Sequence, residues 1–363
     1  MKTKFISFFD FHLHNFEDFA KPVTYNFFGK EMELTDRLVA QIETINRIFA
    51  LADENDADIL FGGDFFHARN RIPTLIFNLG FDVIYENMMK YPHINMYMIV
   101  GNHDQKDNSP FPEHSLRTFR TIPRVHILDD FYPVDLGSCV LYPASYTDDV
   151  AYLKTRIMEF AQEAEAETKP TILLGHLGVD GSETGRYSHR LEGAFQLGDL
   201  YPHVFTYVAL GHYHKRQFLG GTDNMFYGGN TIQESYSDEG QDKGVFLIDV
   251  ANIGKPQFIP IANKQFITLD HIPENAQELI DNNYVRFVIP QDLATSVEVF
   301  KSETDNIRVE VKKVYKAESR IDIADDATDH EIVKAYAEKY HPEVVDIVLD
   351  ILKEAAEREA MAK

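Results

Sequence analysis

Cysteine is almost missing from this chain of 363 residues, where Cys139 stands alone. No disulfide can form within the chain and no thiolate site can hold a metal, which fits a reducing, intracellular setting. Apolar runs long enough to span a bilayer are missing too, so no membrane partner is expected. The N-terminal "MKTKFISFFDFHLHN" begins like a secretion signal, but Asp10 ends its apolar run after five residues and no small-residue cleavage site follows. A first buried strand is the expected fate of that stretch. Positive charge is scarce: 35 Lys and Arg face 58 Asp and Glu, a net charge of −23. Such a chain is by itself a poor binder of polyanions, because phosphate affinity comes from Lys and Arg. A nucleic-acid substrate therefore requires a cation in the site or a partner with basic surface. Solubility alone is a sufficient reason for the charge.

What the chain does have is core material. Hydrophobic residues make up 44%, with 27 Phe and 18 Tyr, enough for one large domain and at least one smaller one. Residues 4–9, "KFISFF", read as a strand ending at Asp10. Residues 34–53 repeat Leu34, Leu38, Ile42, Ile45, Ile48 and Phe49 at helical spacing, with Thr35 or Asp36 placed to cap the start. The strand "ADILFGGD", a helix over about residues 73–90 and the strand "INMYMIVGNHD" continue the alternation. "VHIL", "CVLYPA", the helical "DDVAYLKTRIMEFAQEAEAE", "PTILLGHLG" and "VFTYVALGHYH" carry it on, and the fold class is α/β. From residue 265 the punctuation changes to strand, helix, strand, a small β-α-β domain over 265–323. Two amphipathic helices split at Pro342 fill 324–363. The first domain is thus expected over 1–264.

Strand ends carry the chemistry. They read "DFH" (Asp10, His12), "GGDFFH" (Asp64, His67), "GNHD" (Asn102, His103, Asp104), "GHLG" (His176) and "GHYH" (His212, His214). Two histidines beside one strand end are more often solvated loop residues. Five such ends are another matter, because ligands of an open α/β sheet bind outside the carboxyl ends of its strands. A shared metal site is expected. Carboxylate, imidazole and amide oxygen without sulfur suit Mn, Fe, Zn or Mg. The donors outnumber what one ion needs, which points to two ions sharing a carboxylate, with Asp64 the natural bridge.

These motifs, in this order, resemble those of the calcineurin-like metallophosphoesterase superfamily: D-x-H, G-D-x-x, G-N-H-D/E, G-H and G-H-x-H. In detail the chain resembles the SbcD-type DNA repair and recombination nucleases, through the histidine three after Asp64 and the segment "YGGNTIQESYSDEGQDKGVFLIDV". The resemblance implies a two-sheet sandwich with helices outside, a small capping domain for DNA, and C-terminal helices that grip an SbcC-type ATPase. It also implies a homodimer, in the cytoplasm of a bacterial cell or phage-infected host. One Mn2+, with Mg2+ as substitute, would be held by Asp10, His12, Asp64 and His214, the second by Asp64, Asn102, His176 and His212. Water activated at the ions would attack phosphorus. His103 would serve as phosphate stabiliser or general acid with His67 beside it, while Asp104 orients a neighbour.

The implied activity is exonuclease with endonuclease cleavage at DNA ends. The rivals are a phosphodiesterase or phosphatase on a small substrate, and a non-catalytic DNA-end scaffold. Arg69, Arg71, Lys215 and Arg216 are the candidate DNA contacts. Two departures from the family pattern stand out: His14 where glycine is common, and "GGN" at Gly228 to Asn230 where a serine is usual. Phe16, Phe19, Tyr25 and Phe27 fall in what reads as a long first loop, where packing is the expected role. The face of Val344, Val345, Ile347, Val348, Ile351 and Leu352 is read as the ATPase grip.

Overall fold

A computed structural model describes residues 1–183, 195–301, 307–311 and 327–362. Two six-stranded sheets stack face to face. The first runs in the order Gln257–Pro260, Gly244–Asp249, Lys4–Phe8, Ala57–Phe61, Met96–Met98 and Val125–Ile127. The second runs Gln217–Phe218, Met225–Tyr227, Tyr207–Gly211, Thr171–His176, Val140–Ala144 and Val134–Asp135. The central strands are apolar on both faces because both are covered. Along Thr171–His176, Ile172 and Leu174 enter the core between the sheets, while Leu173 joins the core beneath the helix Val150–Glu165. In the first sheet Phe5 and Leu60 face inward, whereas Ile6, Phe8, Ile59 and Phe61 meet the helices Asp36–Glu54 and Thr74–Lys90. Thr35 caps the first of these helices, accepting from the Leu38 amide at 3.2 Å.

The parallel pairings bring the ends of Lys4–Phe8, Ala57–Phe61 and Met96–Met98 to one rim, and those of Thr171–His176 and Tyr207–Gly211 to the same rim from the facing sheet. Phe9 wedges the junction. Its buried ring lies between Gly62 and Gly228, and a Cβ on either glycine would come within 2.0 Å of it.

Two elements differ from the sequence reading. The stretch read as a long loop contains an antiparallel hairpin, Pro22–Phe27 with Lys30–Thr35, turning at Gly29 with φ 89°. Its outer residues are solvated, so the apolar alternation that marks a half-buried strand is weak. The segment read as a small domain holds one more strand and helix than expected, Phe266–Leu269 and Ala276–Asn282, before Tyr284–Ile289, Gln291–Lys301 and Ile307–Val311. All three strands pair in parallel. Four-residue strands and seven-residue helices are too short to show a period.

Two compact units result, Met1–Val311 and Lys312–Lys363. Within the second, Asp329–Tyr340 and Val345–Ala362 are helical, with a 3-10 turn at Pro342–Val344. The last part of the expected small domain, 312–323, and the first residues of the expected tail, 324–326, lie outside the described residues. Among the described residues no helix is long and apolar enough to cross a membrane.

Gly228→Ala is expected to lower unfolding stability by about 2 kcal/mol, the cost of overpacking a filled core. Urea denaturation followed by circular dichroism measures it, and an unchanged midpoint would mean that the Phe9 ring has room to move.

Candidate metal centre

Backbone strain gathers where the motifs converge. Asp10, His12, Asp64 and His212 have φ of 46°, 50°, 61° and 101°, values that non-glycine residues avoid. Asp104 shows what holds one such turn. Its buried carboxylate accepts from the amides of Asp64 at 2.8 Å, Phe65 at 2.9 Å, Phe66 at 3.3 Å and Gly101 at 3.0 Å. The Asp10 carboxylate likewise accepts from the His212 amide at 2.9 and 3.1 Å, which ties the two sheets together at the rim.

Seven donor residues meet there. His12 Nε2 and His214 Nε2 face each other at 3.0 Å. His176 Nε2 and His212 Nδ1 each lie 3.0 Å from Asn102 Oδ1. Asp64 Oδ2 is 3.7 Å from His12 Nε2 and 3.4 Å from His176 Nε2, so it faces both groups. Donor atoms within 4.8 Å of one another form three sets: Asp10, His12 and His214; Asp10, Asp64 and His176; and His12, His67 and His103. His176 Nδ1 lies 2.8 Å from the Gly62 carbonyl. A carbonyl only accepts, so Nδ1 carries the proton and Nε2 is turned to the cluster. His103 Nδ1 is fixed in the same way by the His67 carbonyl at 2.6 Å, and the His103 amide donates to Asp64 Oδ1 at 2.7 Å.

The electrostatics fit a divalent cation. Burial, with His214 next, holds His12 well below the usual imidazole range. Burial brings His212 down to about 3, His214 to about 4 and His67 to about 4. These imidazoles are neutral lone-pair donors at physiological pH. Burial pushes Asp10 and Asp104 up to about 7. Against the same burial, His176 keeps Asp64 ionised, and Asp64 raises His176 to about 9. Oxygen and imidazole nitrogen without sulfur are the donors of Mn, Fe, Zn or Mg. The residues present fit such an ion.

The candidate DNA contacts are placed unequally. Arg69 donates to the Asn102 carbonyl and to Asn108 Oδ1, both at 2.7 Å, and so braces the Asn102 turn. Lys215 pairs with Glu183, and the Arg216 guanidinium lies 4.0 Å from the Phe258 ring centre. Arg71 is exposed. His14 sits at the edge of the site, its ring centre 5.1 Å from that of His67, and its amide donates to Gln41.

Sequence reasoning missed the support behind His214. Buried Lys243 donates to the His214 carbonyl at 2.8 Å, to Asp238 Oδ1 at 2.9 Å and to Gln241 Oε1 at 2.9 Å. The Asn230 backbone amide donates to the same carbonyl at 3.3 Å. The "GGN" departure is therefore part of the scaffold for His214. The only sequence signal was the Lys-Gly pair at the start of "KGVFLIDV".

Metal affinity should rise with pH between about 5 and 8. Asp10, raised to about 7, and His176, raised to about 9, would both have to lose a proton to act as ligands, so binding through them would release protons and be opposed as pH falls. Isothermal titration calorimetry with Mn2+ in buffers of different ionisation enthalpy measures the release, and a pH-independent affinity would contradict this donor set.

Comparison with known proteins agrees with the geometry. The family model described as calcineurin-like phosphoesterase matches residues 10–216. The chain is 26% identical over 303 residues to the SbcD subunit of the SbcCD nuclease of Staphylococcus epidermidis, covering 70% of this chain and 78% of that protein. It is 34% identical over 170 residues to the DNA double-strand break repair protein Mre11 of Sulfurisphaera tokodaii, covering 44% of this chain and 41% of that protein. The SbcD subunit of the Staphylococcus saprophyticus nuclease is 26% identical over 209 residues, 53% of this chain and 52% of that protein. With more than half of its length matched and the motif donors gathered on one rim, the chain belongs to the calcineurin-like phosphoesterase family of metal-dependent hydrolases.

Proposed function

We propose that the protein is a metal-dependent DNA nuclease of the SbcCD type, hydrolysing phosphodiester bonds at DNA ends as an exonuclease with endonuclease activity. The observation that carries this reading is the convergence of Asp10, His12, Asp64, Asn102, His176, His212 and His214 beside a tautomer-fixed His103. The relatives, named as nuclease subunits and a break-repair protein, support DNA as the substrate.

Two Mn2+ are the proposed cofactors, with Mg2+ as substitute. Asp10, His12, Asp64 and His214 would hold one, and Asp64, Asn102, His176 and His212 the other. When bound, such ions lower the pKa of water and stabilise charge on the phosphate oxygens. The chain's own residues do the rest. His103, its Nδ1–H held by the His67 carbonyl, turns Nε2 to the site, and in its doubly protonated form Nε2 would pass its proton to the departing oxygen, leaving the neutral ring with Nδ1–H still on the carbonyl. His67, neutral through burial, presents its ring beside His12 and His103. Arg71 is offered to DNA phosphates directly. Lys215 joins it by exchanging a surface ion pair with Glu183, which costs little.

The proposed organisation is a nuclease domain over 1–264, a DNA-capping domain over 265–323 and a helical segment over 324–363 that binds an SbcC-type ATPase. Exposed Ile347 and Ile351 support that last assignment. A homodimer completes the proposed complex, and the ATPase supplies the basic surface that a net charge of −23 lacks.

End-labelled linear duplex and single-stranded DNA, incubated with Mn2+, Mg2+ or EDTA, tests the activity. Manganese-dependent cutting that disappears in Asp64→Ala is expected, whereas turnover of bis-p-nitrophenyl phosphate without DNA cutting would point to a small-substrate phosphodiesterase. His103→Ala should lower the cleavage rate about 10²–10⁴-fold at unchanged metal content by atomic absorption. Loss of metal in that variant would make His103 a ligand instead. Removing residues 324–363 should abolish capture of the ATPase while sparing manganese-dependent cleavage, and retained capture would remove the tail from the interface.

A further inference from the structure

A cavity of about 750 Å³ opens next to His67, between the chain after His12 and the three-stranded domain. Aromatic rings make much of its wall. Phe16 stands 5.3 Å from His67, ring centre to ring centre, and Phe19, Tyr236 and Phe266 form a cluster with centres 4.9–5.8 Å apart. The wall is braced before any ligand arrives. Arg37, only 6% exposed, donates to the carbonyls of Asp18 at 2.9 Å and Glu234 at 2.7 Å. Its guanidinium lies 4.6 Å from the Phe16 ring centre and 5.3 Å from that of Phe266. A preorganised cavity of this size suits a ligand of nucleoside dimensions.

The charges decide which part of a nucleotide it takes. Glu17, Asp18, Glu234, Arg37 and Arg308 also line the cavity. Burial pushes the Glu234 carboxyl well above its usual range, Arg37 is spent on two backbone carbonyls and Arg308 lies 3.5 Å from Glu310, so the lining offers no dedicated phosphate ligand. Flat faces for stacking, with acceptors at the edge, suit a nucleobase bearing amino and ring N–H donors. His67 belongs both to this wall and to the donor set with His12 and His103. The cavity thus begins where the phosphate would sit.

We propose that this cavity is a nucleobase pocket, receiving the unstacked base of a nucleotide that flanks the scissile phosphate. The proposal rests on the nuclease reading above. It makes substrate choice depend on how readily a base leaves its stack, favouring single strands and frayed ends.

The test uses the full-length protein with Mn2+ and single-stranded oligonucleotides, each carrying one abasic residue at a successive position. Cleavage should fall about tenfold when the abasic residue flanks the scissile bond on one particular side, the loss expected for one stacking contact. Phe16→Ala should abolish that ratio between intact and abasic substrates, and Phe16→Leu, which keeps the bulk, should reduce it. A 2-aminopurine at the same position should be quenched on binding to the wild type. Equal cleavage of intact and abasic strands at every position, without quenching, overturns the pocket and leaves the nuclease reading standing. A Phe16→Ala variant that slows both substrates by one factor also overturns it, assigning Phe16 to the support of His67. No DNA cleavage by the wild type, with bis-p-nitrophenyl phosphate still hydrolysed, overturns the nuclease reading and the pocket together.

Discussion

The carboxylate of Asp104 is the keystone of the site. It gathers amide hydrogens from the turns after two neighbouring strands, Asp64 to Phe66 on one side and Gly101 on the other. Those hydrogen bonds brace the turn in which Asp64 keeps its left-handed backbone. A Cβ on Gly101 would lie 2.1 Å from Asp64 Oδ1, so that glycine is required by the same close approach. The His103 amide then donates to Asp64, and Asp64 sets the proton on His176. One buried acid ringed by amides thereby places the groups that carry the chemistry.

The site also concentrates cost. Carboxylates are desolvated, the imidazoles of His12, His67, His212 and His214 are driven to the neutral form, and four backbones sit in a sparsely populated region. These features oppose folding individually, and a bound cation would offset them together, because the donors are already aimed and the imidazoles of His12, His212 and His214 are already neutral. The surrounding sheets supply the excess stability such an arrangement needs, with Phe9 locked between two glycines at the junction.

Much of this could be read from residues alone. The central strands announce themselves because burial on both faces leaves an unbroken apolar run. The donors are legible because parallel strands bring their carboxyl ends to a single rim. What escaped was either short or supported from a distance. Phe266–Leu269 has four residues, and the Pro22–Phe27 hairpin exposes one face, so neither shows a period. Lys243 and Arg37 look like ordinary surface cations in a sequence, and only the fold reveals that both are buried on backbone carbonyls. Arg69, expected near DNA, spends its guanidinium on the Asn102 turn, a contact between residues 33 apart.

The grip of Lys243 on the His214 carbonyl has a consequence for the order in which the protein can mature. During synthesis, every motif donor has left the ribosome once His214 emerges. The lysine that fixes it comes later, followed at once by Gly244–Asp249, which pairs antiparallel with the first strand, Lys4–Phe8. Closure thus joins Lys4–Phe8 to Gly244–Asp249, a high-contact-order step that waits for the chain to be made. A nascent chain therefore lacks the Lys243 brace behind His214 until those last strands are made.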